Sequence, residues 1–232
     1  MAYGIRKNNK HSFEDFGLTI KSKKIGSPKK NKIKEEVPFM NGSYDFSLLY
    51  GEQTYSERQL EYTFNLNERN KIAMNIKKIQ VLEWLNDGGK QPLFDDTIPG
   101  FYFLAEVEDD DFSEEGKNGK LTVTFNAYPY KIASRNEGHD IWDDFNFELD
   151  YAQDTKFTVD GEKNIELYNL GSSRTTPTVK TTSAFDVIKN DITYKFNPGV
   201  TTDWRFILEK GLNNMVIRGT GNIEFIFKRE VL

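Results

Sequence analysis

The spacing of apolar residues predicts a chain built mostly of β-strands. Between residues 60 and 66 the apolar side chains of Leu60, Tyr62, Phe64 and Leu66 alternate with polar ones. A period of two is typical of a strand with one buried face. The same alternation recurs at 121–127, 145–149, 192–196 and 223–227. We therefore expect antiparallel sheets to dominate the fold.

One segment has the period of a helix instead. After Asn67, apolar residues recur three or four positions apart, at Ile72, Ile76, Ile79 and Leu82. This stripe predicts one long amphipathic helix. Asn67 is the predicted N-cap, since asparagine is favoured there, and the Gly88-Gly89 pair is the predicted stop. Trp84 and Leu85, near the end of the helix, are expected to be buried.

Length and a shift in composition predict two domains. The 232 residues are enough for one large all-β domain or for two domains of ordinary size. The segment YPYKI, which begins at Tyr128, ends one series of strands, and polar RNEGHD precedes a second series. We therefore place a junction near residue 131, with an N-terminal domain at 1–131 and a C-terminal domain at 132–232.

Charge is distributed unevenly along the chain. Residues 1–34 carry ten Lys/Arg and two Asp/Glu, a net charge of +8, whereas the remainder carries 21 and 34, a net of −13. Such a basic segment is usually solvated or joins subunits. It lacks the interleaved aromatic residues that stack on bases, so we expect no stable binding to nucleic acid.

The strongest acidic run, VEDDDFSEEGKNG at 107–119, is predicted to be an exposed hairpin loop. It contains six carboxylates, at Glu108, Asp109, Asp110, Asp111, Glu114 and Glu115. Their spacing does not match the calcium loop pattern, in which ligands alternate with other residues. We therefore expect no metal ion.

Composition and motifs indicate no catalytic site. The chain has no cysteine and only two histidines, His11 and His139, which excludes thiol nucleophiles and disfavours histidine-built metal centres. Nucleophile-elbow, phosphate-loop, dinucleotide and zinc-protease patterns are absent. The glycine-rich GTGN at 219–222 is predicted to be a hairpin turn. We expect no enzyme activity and no cofactor.

Two sugar-related alternatives stay open at this point. A β-sandwich glycosidase needs only two suitably spaced carboxylates, and candidates are Asp95, Asp96, Asp143, Asp144 and Glu148. A carbohydrate-binding module needs exposed aromatic platforms, and candidates are Trp142 and Trp204.

Nothing in the sequence predicts a membrane segment. No stretch approaches the ~20 apolar residues that span a bilayer, and the N-terminus MAYGIRKNNK lacks the apolar core of a signal peptide. We expect synthesis in a cytoplasm.

An ordered set of motifs resembles a known family. The set comprises FGL at 16–18, IGSPKKNKIKEEVPFMNGSYDFS at 25–47, YGEQTYSERQLEYTF at 50–64, VLEWLNDG at 81–88 and YPYK at 128–131. Together they are similar to the N-terminal domain of siphophage distal tail proteins, the phage tail component family of phages and prophages of Gram-positive bacteria. YNLGSSRTTPTV at 168–179 and the closing strands at 208–232 resemble the family more loosely. Between 132 and 160 no motif matches.

The resemblance implies a structural protein of the virion tail tip, made in the cytoplasm of the host bacterium. Six copies would form a ring that joins the tail tube of a non-contractile tail to the tail-associated lysin or tail fibre protein and the host adsorption apparatus. The implied fold is mainly β: an N-terminal ring-forming domain with one long helix, and a C-terminal galectin-like or carbohydrate-module-like β-sandwich that docks receptor-binding proteins.

The basic segment then becomes a candidate subunit contact. Its lysines would meet an acidic edge of the next subunit, such as residues 108–115, and buried aromatic anchors would contribute more affinity than the charges. The candidate interface residues are Lys29, Lys30, Tyr44, Phe46 and Tyr55.

Overall fold

The structure is a computed structural model that describes residues 3–49, 51–115, 118–139 and 152–232. The chain divides into two compact units, Met1–Lys131 with Leu232, and Ile132–Val231. The described residues form sixteen strands and one α-helix, and the predicted mainly β fold class is confirmed. The strand predicted at 145–149 lies outside the described residues.

Seven strands of the N-terminal unit form one sheet, in the order β2-β1-β7-β8-β9-β6-β3. The remaining two, β4 and β5, pair only with each other. The elements in chain order are β1 Ile5–Lys7, β2 Lys10–His11, β3 Thr19–Ile25, β4 Lys34–Glu35, β5 Tyr44–Asp45, β6 Arg58–Asn67, α1 Lys71–Asn86, β7 Gln91–Asp95, β8 Phe101–Glu115 and β9 Asn118–Ala133.

The alternation seen in the sequence builds the core of this unit. Leu60, Tyr62 and Phe64 of β6 are fully buried. In the antiparallel register they lie opposite Phe125, Val123 and Leu121 of β9, which are also fully buried. Each strand therefore presents one continuous apolar face, and the sheet is held by cross-strand pairs of large side chains.

A buried carboxylate shows how strongly this sheet curls. Asp95 ends β7, and its side chain is 1% exposed. It accepts hydrogen bonds from the Tyr62 hydroxyl of β6 and the Lys23 Nζ of β3, both at 2.9 Å, and from the backbone N–H of Thr97 at 2.9 Å. Strands β8, β9 and β6 lie between β7 and β3 in the sheet order. Only a sheet that closes on itself brings these groups together.

The helix begins later than predicted. Asn67 is the last residue of β6, and α1 runs from Lys71 to Asn86 with Asn70 as its N-cap. The Asn70 side-chain oxygen accepts a hydrogen bond from the Ala73 N–H at 2.9 Å. The predicted N-cap Asn67 is therefore wrong, because β6 continues through it. Asn67 and Asn70 lie only three residues apart, and asparagine is favoured as an N-cap at either position.

A buried lysine donates hydrogen bonds to carbonyl groups at the C-terminal end of the helix. The last carbonyls of a helix lack partners within it. Here the Lys7 Nζ donates to the carbonyls of Leu85 at 2.8 Å and Asp87 at 2.9 Å, and the Trp84 Nε1 donates to the Lys7 carbonyl at 2.8 Å. Burial lowers the pKa of Lys7, and the charge of Asp87 opposes that effect. Trp84 and Leu85 are buried, as the sequence predicted.

The C-terminal unit is organised around one long antiparallel pair of strands that are distant in sequence. Strand β10 pairs with β15 over fourteen residue pairs. On the other edge of β15, residues 216–218 pair with β12 and residues 223–226 pair with β11. The strands are β10 Lys156–Asn169, β11 Thr178–Thr181, β12 Phe185–Lys189, β13 Ile192–Phe196, β14 Gly199–Thr202, β15 Gly211–Ile226 and β16 Glu230–Val231.

The predicted hairpin turn at 219–222 is wrong, because these residues lie inside β15. Gly219 and Gly221 have φ values of 150° and 136° and separate the two halves that pair with different strands. A Cβ on Gly219 would lie 2.6 Å from the Phe185 ring. Glycine therefore permits both the positive φ values and the close approach. The aromatic core includes Phe206, whose ring lies 5.4 Å from Phe196 and 6.0 Å from Phe225.

We predict that the substitution Asp95→Asn destabilises the protein by about 3 kcal/mol at pH 7, because it leaves the Lys23 ammonium without its buried counter-charge. Burial opposes ionisation of Asp95, but hydrogen bonds from Lys23, Thr97 and Tyr62 outweigh it and lower the pKa. A carboxyl whose pKa is lower in the folded state stabilises the protein at pH values above its unfolded pKa of about 4. This stabilisation is lost as the pH falls through the folded pKa.

Urea unfolding at pH 7 and at steps from pH 5 to 2 measures both effects. The variant should lose less stability than the native protein on acidification. Tyr62→Phe is the matched control, since it removes one hydrogen bond and keeps the ion pair, at a cost of about 1 kcal/mol. Equal losses in the two variants at pH 7 would contradict the role given to the carboxylate.

Candidate assembly surface

Residues 29–56 connect β3 to β6 as a two-stranded extension, which we call the hairpin arm. At its base Lys30 and Tyr55 form an isolated bridge, and the Ser56 N–H donates to the Lys29 carbonyl at 2.8 Å. Farther out, β4 pairs with β5. Apart from Ser43 and Ser47, every residue from 29 to 49 is exposed. The arm is therefore held by its own backbone pairing.

The arm exposes many large apolar side chains. Single apolar residues on a surface are ordinary, but a continuous group of them marks a contact surface. Phe39, near the tip, is wholly exposed, and the rings of Tyr44 and Phe46 lie 6.2 Å apart. The exposed set is Ile33, Val37, Phe39, Met40, Tyr44, Phe46, Leu48 and Leu49.

Polar contacts connect the two strands of the arm. The Asp45 carboxylate accepts from the Ser47 N–H at 2.9 Å and the Lys32 Nζ at 3.1 Å, and the Ser47 hydroxyl accepts from the Ile33 N–H at 2.9 Å. The hydrogen bonds from Ser47, and then Lys32, lower the pKa of Asp45. An ordered arm loses less conformational freedom when it binds.

The five candidate interface residues occupy two different environments. Lys29 and Lys30 are exposed, and no described residue forms an ion pair with either of them. Tyr44 and Phe46 are 54% and 42% exposed. Tyr55 is half-buried and makes an edge contact with the Tyr130 ring at 5.8 Å, so it attaches the base of the arm to the sheet.

The acidic run is part of a strand, not a loop as predicted. β8 continues to Glu115 and keeps Asp109, Asp110 and Asp111 exposed along its outer part. Glu108 accepts a hydrogen bond from the Gln59 amide at 3.1 Å. Within the described ranges no three acidic or histidine side chains are grouped to hold a metal ion. The run therefore forms a negatively charged strand edge on the N-terminal unit.

A cleft lies beside this edge on the outer face of the sheet. Its volume is about 580 Å³, and every lining residue except Gly26 has a polar side chain. The lining residues are Lys24, Gly26, Gln59, Glu61, Glu108, Asp109 and Thr124.

The apolar stripe predicted on the helix faces solvent at three of its four residues, and the fourth, Leu82, is partly buried against the core. Ile72, Ile76 and Ile79 are 75%, 53% and 58% exposed, and we call them the isoleucine stripe. The buried face of α1 instead carries Met74, Val81, Trp84 and Leu85. Because the helix is apolar on two sides, periodicity alone selects the wrong one. The sequence identified these isoleucines as an apolar stripe, but it did not predict that they face solvent.

The structure describes three of the residues considered for sugar chemistry, Asp95, Asp96 and Trp204. Asp95 is held in the core, and Asp96 accepts from the His11 Nε2 at 2.9 Å and the Gly4 N–H at 2.8 Å. Trp204 is 79% exposed. The other candidates, Trp142, Asp143, Asp144 and Glu148, lie outside the described residues.

Within the described residues, no helix has the length and apolarity needed to cross a membrane.

Comparisons with known proteins found one matching family and several similar solved structures. The model of a family described as the phage tail protein RIFT-related domain matches residues 11–127. The crystal structure of phage SPP1 Dit (gp 19.1), described as a paradigm of the hub adsorption apparatus in Gram-positive infecting phages, is similar with a TM-score of 0.68 and 12% identity, covering 98% of this chain and 99% of that one.

A chain of the phage p2 baseplate in its activated conformation with Sr has a TM-score of 0.43 and 11% identity, covering 98% of this chain and 97% of that one. No curated protein sequence matches.

We predict that the exposed apolar residues of the arm contribute little to folding. Phe39→Ser and Tyr44→Ser should each change the free energy of unfolding by less than about 0.5 kcal/mol, because exposed side chains lose no buried contacts. Phe64→Ala, in the core, should cost about 3 to 5 kcal/mol. Urea unfolding measures all three, and a large loss from the arm variants would show that the arm packs on its own chain.

Proposed function

Because the chain belongs to the family of phage tail proteins with a RIFT-related domain, we propose that it is the distal tail hub of a non-contractile phage tail. The family match covers half of the chain and confirms the resemblance indicated by the sequence motifs. The observation that carries the proposal is the shared fold: the TM-score of 0.68 with SPP1 Dit extends over nearly the full length of both chains. That protein is described as part of a hub adsorption apparatus.

In this proposal six copies form a closed ring through the N-terminal unit. A closed cyclic ring uses two different patches on every subunit, one that inserts and one that receives. The hairpin arm has the properties of an inserting patch, since it is a two-stranded extension with its own backbone pairing and it is apolar at its surface. Lys29 and Lys30 would face acidic residues 108–115 of the next copy, and Tyr44 and Phe46 would supply buried area.

The ring would join the tail tube protein to the tail-associated lysin or tail fibre protein at the virion tail tip. The C-terminal unit would dock a receptor-binding protein. Such a role requires neither catalysis nor a cofactor. It also requires no stable contact with nucleic acid, and an acidic protein surface suits the passage of DNA because it does not hold phosphates.

We predict a native mass of about 160 kDa, since six copies of a 26.9 kDa chain form the ring. Light scattering behind size exclusion, over a range of protein concentrations, measures this mass. A monomer at every concentration, with or without tail tube protein, would contradict the proposal.

We predict that Lys29→Glu combined with Lys30→Glu weakens ring formation at least tenfold and reverses its dependence on salt, because attraction to the acidic edge becomes repulsion. The matched control is Lys180→Glu with Lys195→Glu, which changes the net charge equally on exposed lysines of the C-terminal unit. Light scattering at 50 and 500 mM salt compares the variants. Equal effects of the two pairs on ring formation would show that net charge, and not the position of Lys29 and Lys30, determines it.

The exposure of Trp204 favours one alternative function, a carbohydrate-binding module. An exposed indole is a stacking platform for a sugar ring. If the C-terminal unit binds host glycans, Trp204→Ala should reduce the affinity for cell-wall polysaccharide at least tenfold. Calorimetric titration tests this, and heats too small to measure with the native protein would dismiss the alternative.

A further inference from the structure

We propose that Arg58 and Lys131 form a binding site for a small oxyanion, of the carboxylate or phosphate class, in the N-terminal unit. The site lies at the base of the hairpin arm, since Arg58 begins β6 two residues after the arm ends. The inference goes beyond the proposed hub, because it assigns to the single chain a ligand that the ring does not require.

The Arg58 side chain is buried without a hydrogen-bond partner. The residue is 4% exposed, and among the described residues its Nε and Nη2 atoms have no acceptor. Arg58 precedes Leu60 and Tyr62 in the alternation of buried residues along β6. Arginine keeps its positive charge in proteins. Burial of such a charge is strongly unfavourable unless a counter-charge and hydrogen bonds compensate for the lost water.

An aromatic ring supports the guanidinium group but does not neutralise it. The guanidinium carbon of Arg58 lies 5.7 Å from the centre of the Phe103 ring, and Phe103 is itself 1% exposed. The face of an aromatic ring attracts a cation, but it carries no net charge. Phe103 therefore forms an apolar wall of the site and leaves the positive charge to be balanced by another group.

The two unpartnered nitrogens are the pair with which arginine binds an oxyanion. The Nε–H and Nη2–H bonds are parallel and match two oxygens of one carboxylate or phosphate group. The same chain shows this arrangement at Arg205, whose Nε donates to Asp203 Oδ1 at 3.0 Å and whose Nη2 donates to Asp203 Oδ2 at 2.8 Å. Arg58 has the same two donors, and no described residue supplies their acceptors.

A second positive charge adjoins Arg58. Arg58 pairs with Ala127 of β9, and Lys131 lies four residues farther along the same strand. Burial lowers the pKa of Lys131, and the charge of Arg58 lowers it further. Burial also lowers the pKa of Arg58, and no carboxylate of the described residues opposes either effect. Two neighbouring cations without a counter-charge favour the binding of an anion.

Burial limits the size of the ligand. Because the two nitrogens of Arg58 are buried, a flat protein or nucleic-acid surface does not reach them. A free ion or the carboxylate of one side chain is small enough. Lys131 is half-buried, and its flexible four-carbon chain can turn to admit such a group beside the guanidinium.

Thermal unfolding of the full chain tests the site. Inorganic phosphate or acetate at about 10 mM should raise the unfolding midpoint by about 3 °C over chloride of equal ionic strength, since a ligand of the folded state stabilises it. Arg58→Met should abolish this rise. In chloride alone this variant should unfold no earlier than the native protein, because it removes a buried charge that has no counter-charge. Arg205→Met is the matched control and should keep the rise, since Asp203 already occupies its two donors.

A second variant and a spectroscopic signal test the site if Arg58→Met does not fold. Arg58→Lys keeps the charge but lacks the paired donors, so it should lose most of the rise. In the NMR spectrum of the native protein, the Nε–H resonance of Arg58 should shift on addition of phosphate, and that of Arg205 should not. A resonance of Arg58 that stays unchanged would overturn the inference.

The native mass, measured with and without the added anion, separates the two sources of the oxyanion. A rise in the midpoint with an unchanged native mass identifies a free ion as the ligand. A rise with a lower native mass identifies a carboxylate of a neighbouring copy, with which the added anion competes. Both results support the site. No rise with either anion, or an equal rise in Arg58→Met, overturns the site and leaves the proposed hub intact.

Discussion

The N-terminal unit depends on closure of its sheet around the buried carboxylate of Asp95. Lys23, Tyr62 and Thr97 meet at this one side chain from different parts of the sheet. A buried charge is tolerated only where counter-charge and hydrogen bonds surround it, so the curled geometry and the ionised carboxylate require each other. The hairpin arm leaves from β3 and returns into β6, the two strands that provide Lys23 and Tyr62. The position of the arm is therefore fixed by the same closure.

The two faces of the helix have different environments. One face fills the core with Met74, Val81 and Trp84, and Lys7 fastens its C-terminal end. The opposite face exposes three isoleucines that contribute nothing to that packing. An exposed apolar face is a cost to solubility, and a partner surface offsets it. The proposed ring would remove the apolar arm from water.

Sequence reasoning worked where local chemistry was sufficient. Alternation placed the faces of β6 and β9 correctly, because a strand with one buried face must repeat every second residue. The ordered motifs around the arm identified the family, and the match over residues 11–127 confirms it. The errors came at positions with two local solutions. Asn67 and Asn70 were both good caps, and GTGN suits a turn as well as the interior of a long strand.

The sequence by itself therefore determined the mainly β class, the single long helix and the family, and it indicated the residues proposed for assembly. Only the tertiary structure decided which face of α1 is buried, that Asp95 lies among side chains from distant strands, and that β15 continues through Gly219 and Gly221. The physical reason is the range of the interactions. Periodicity and capping act within a few residues, whereas burial depends on what the rest of the chain places against each surface.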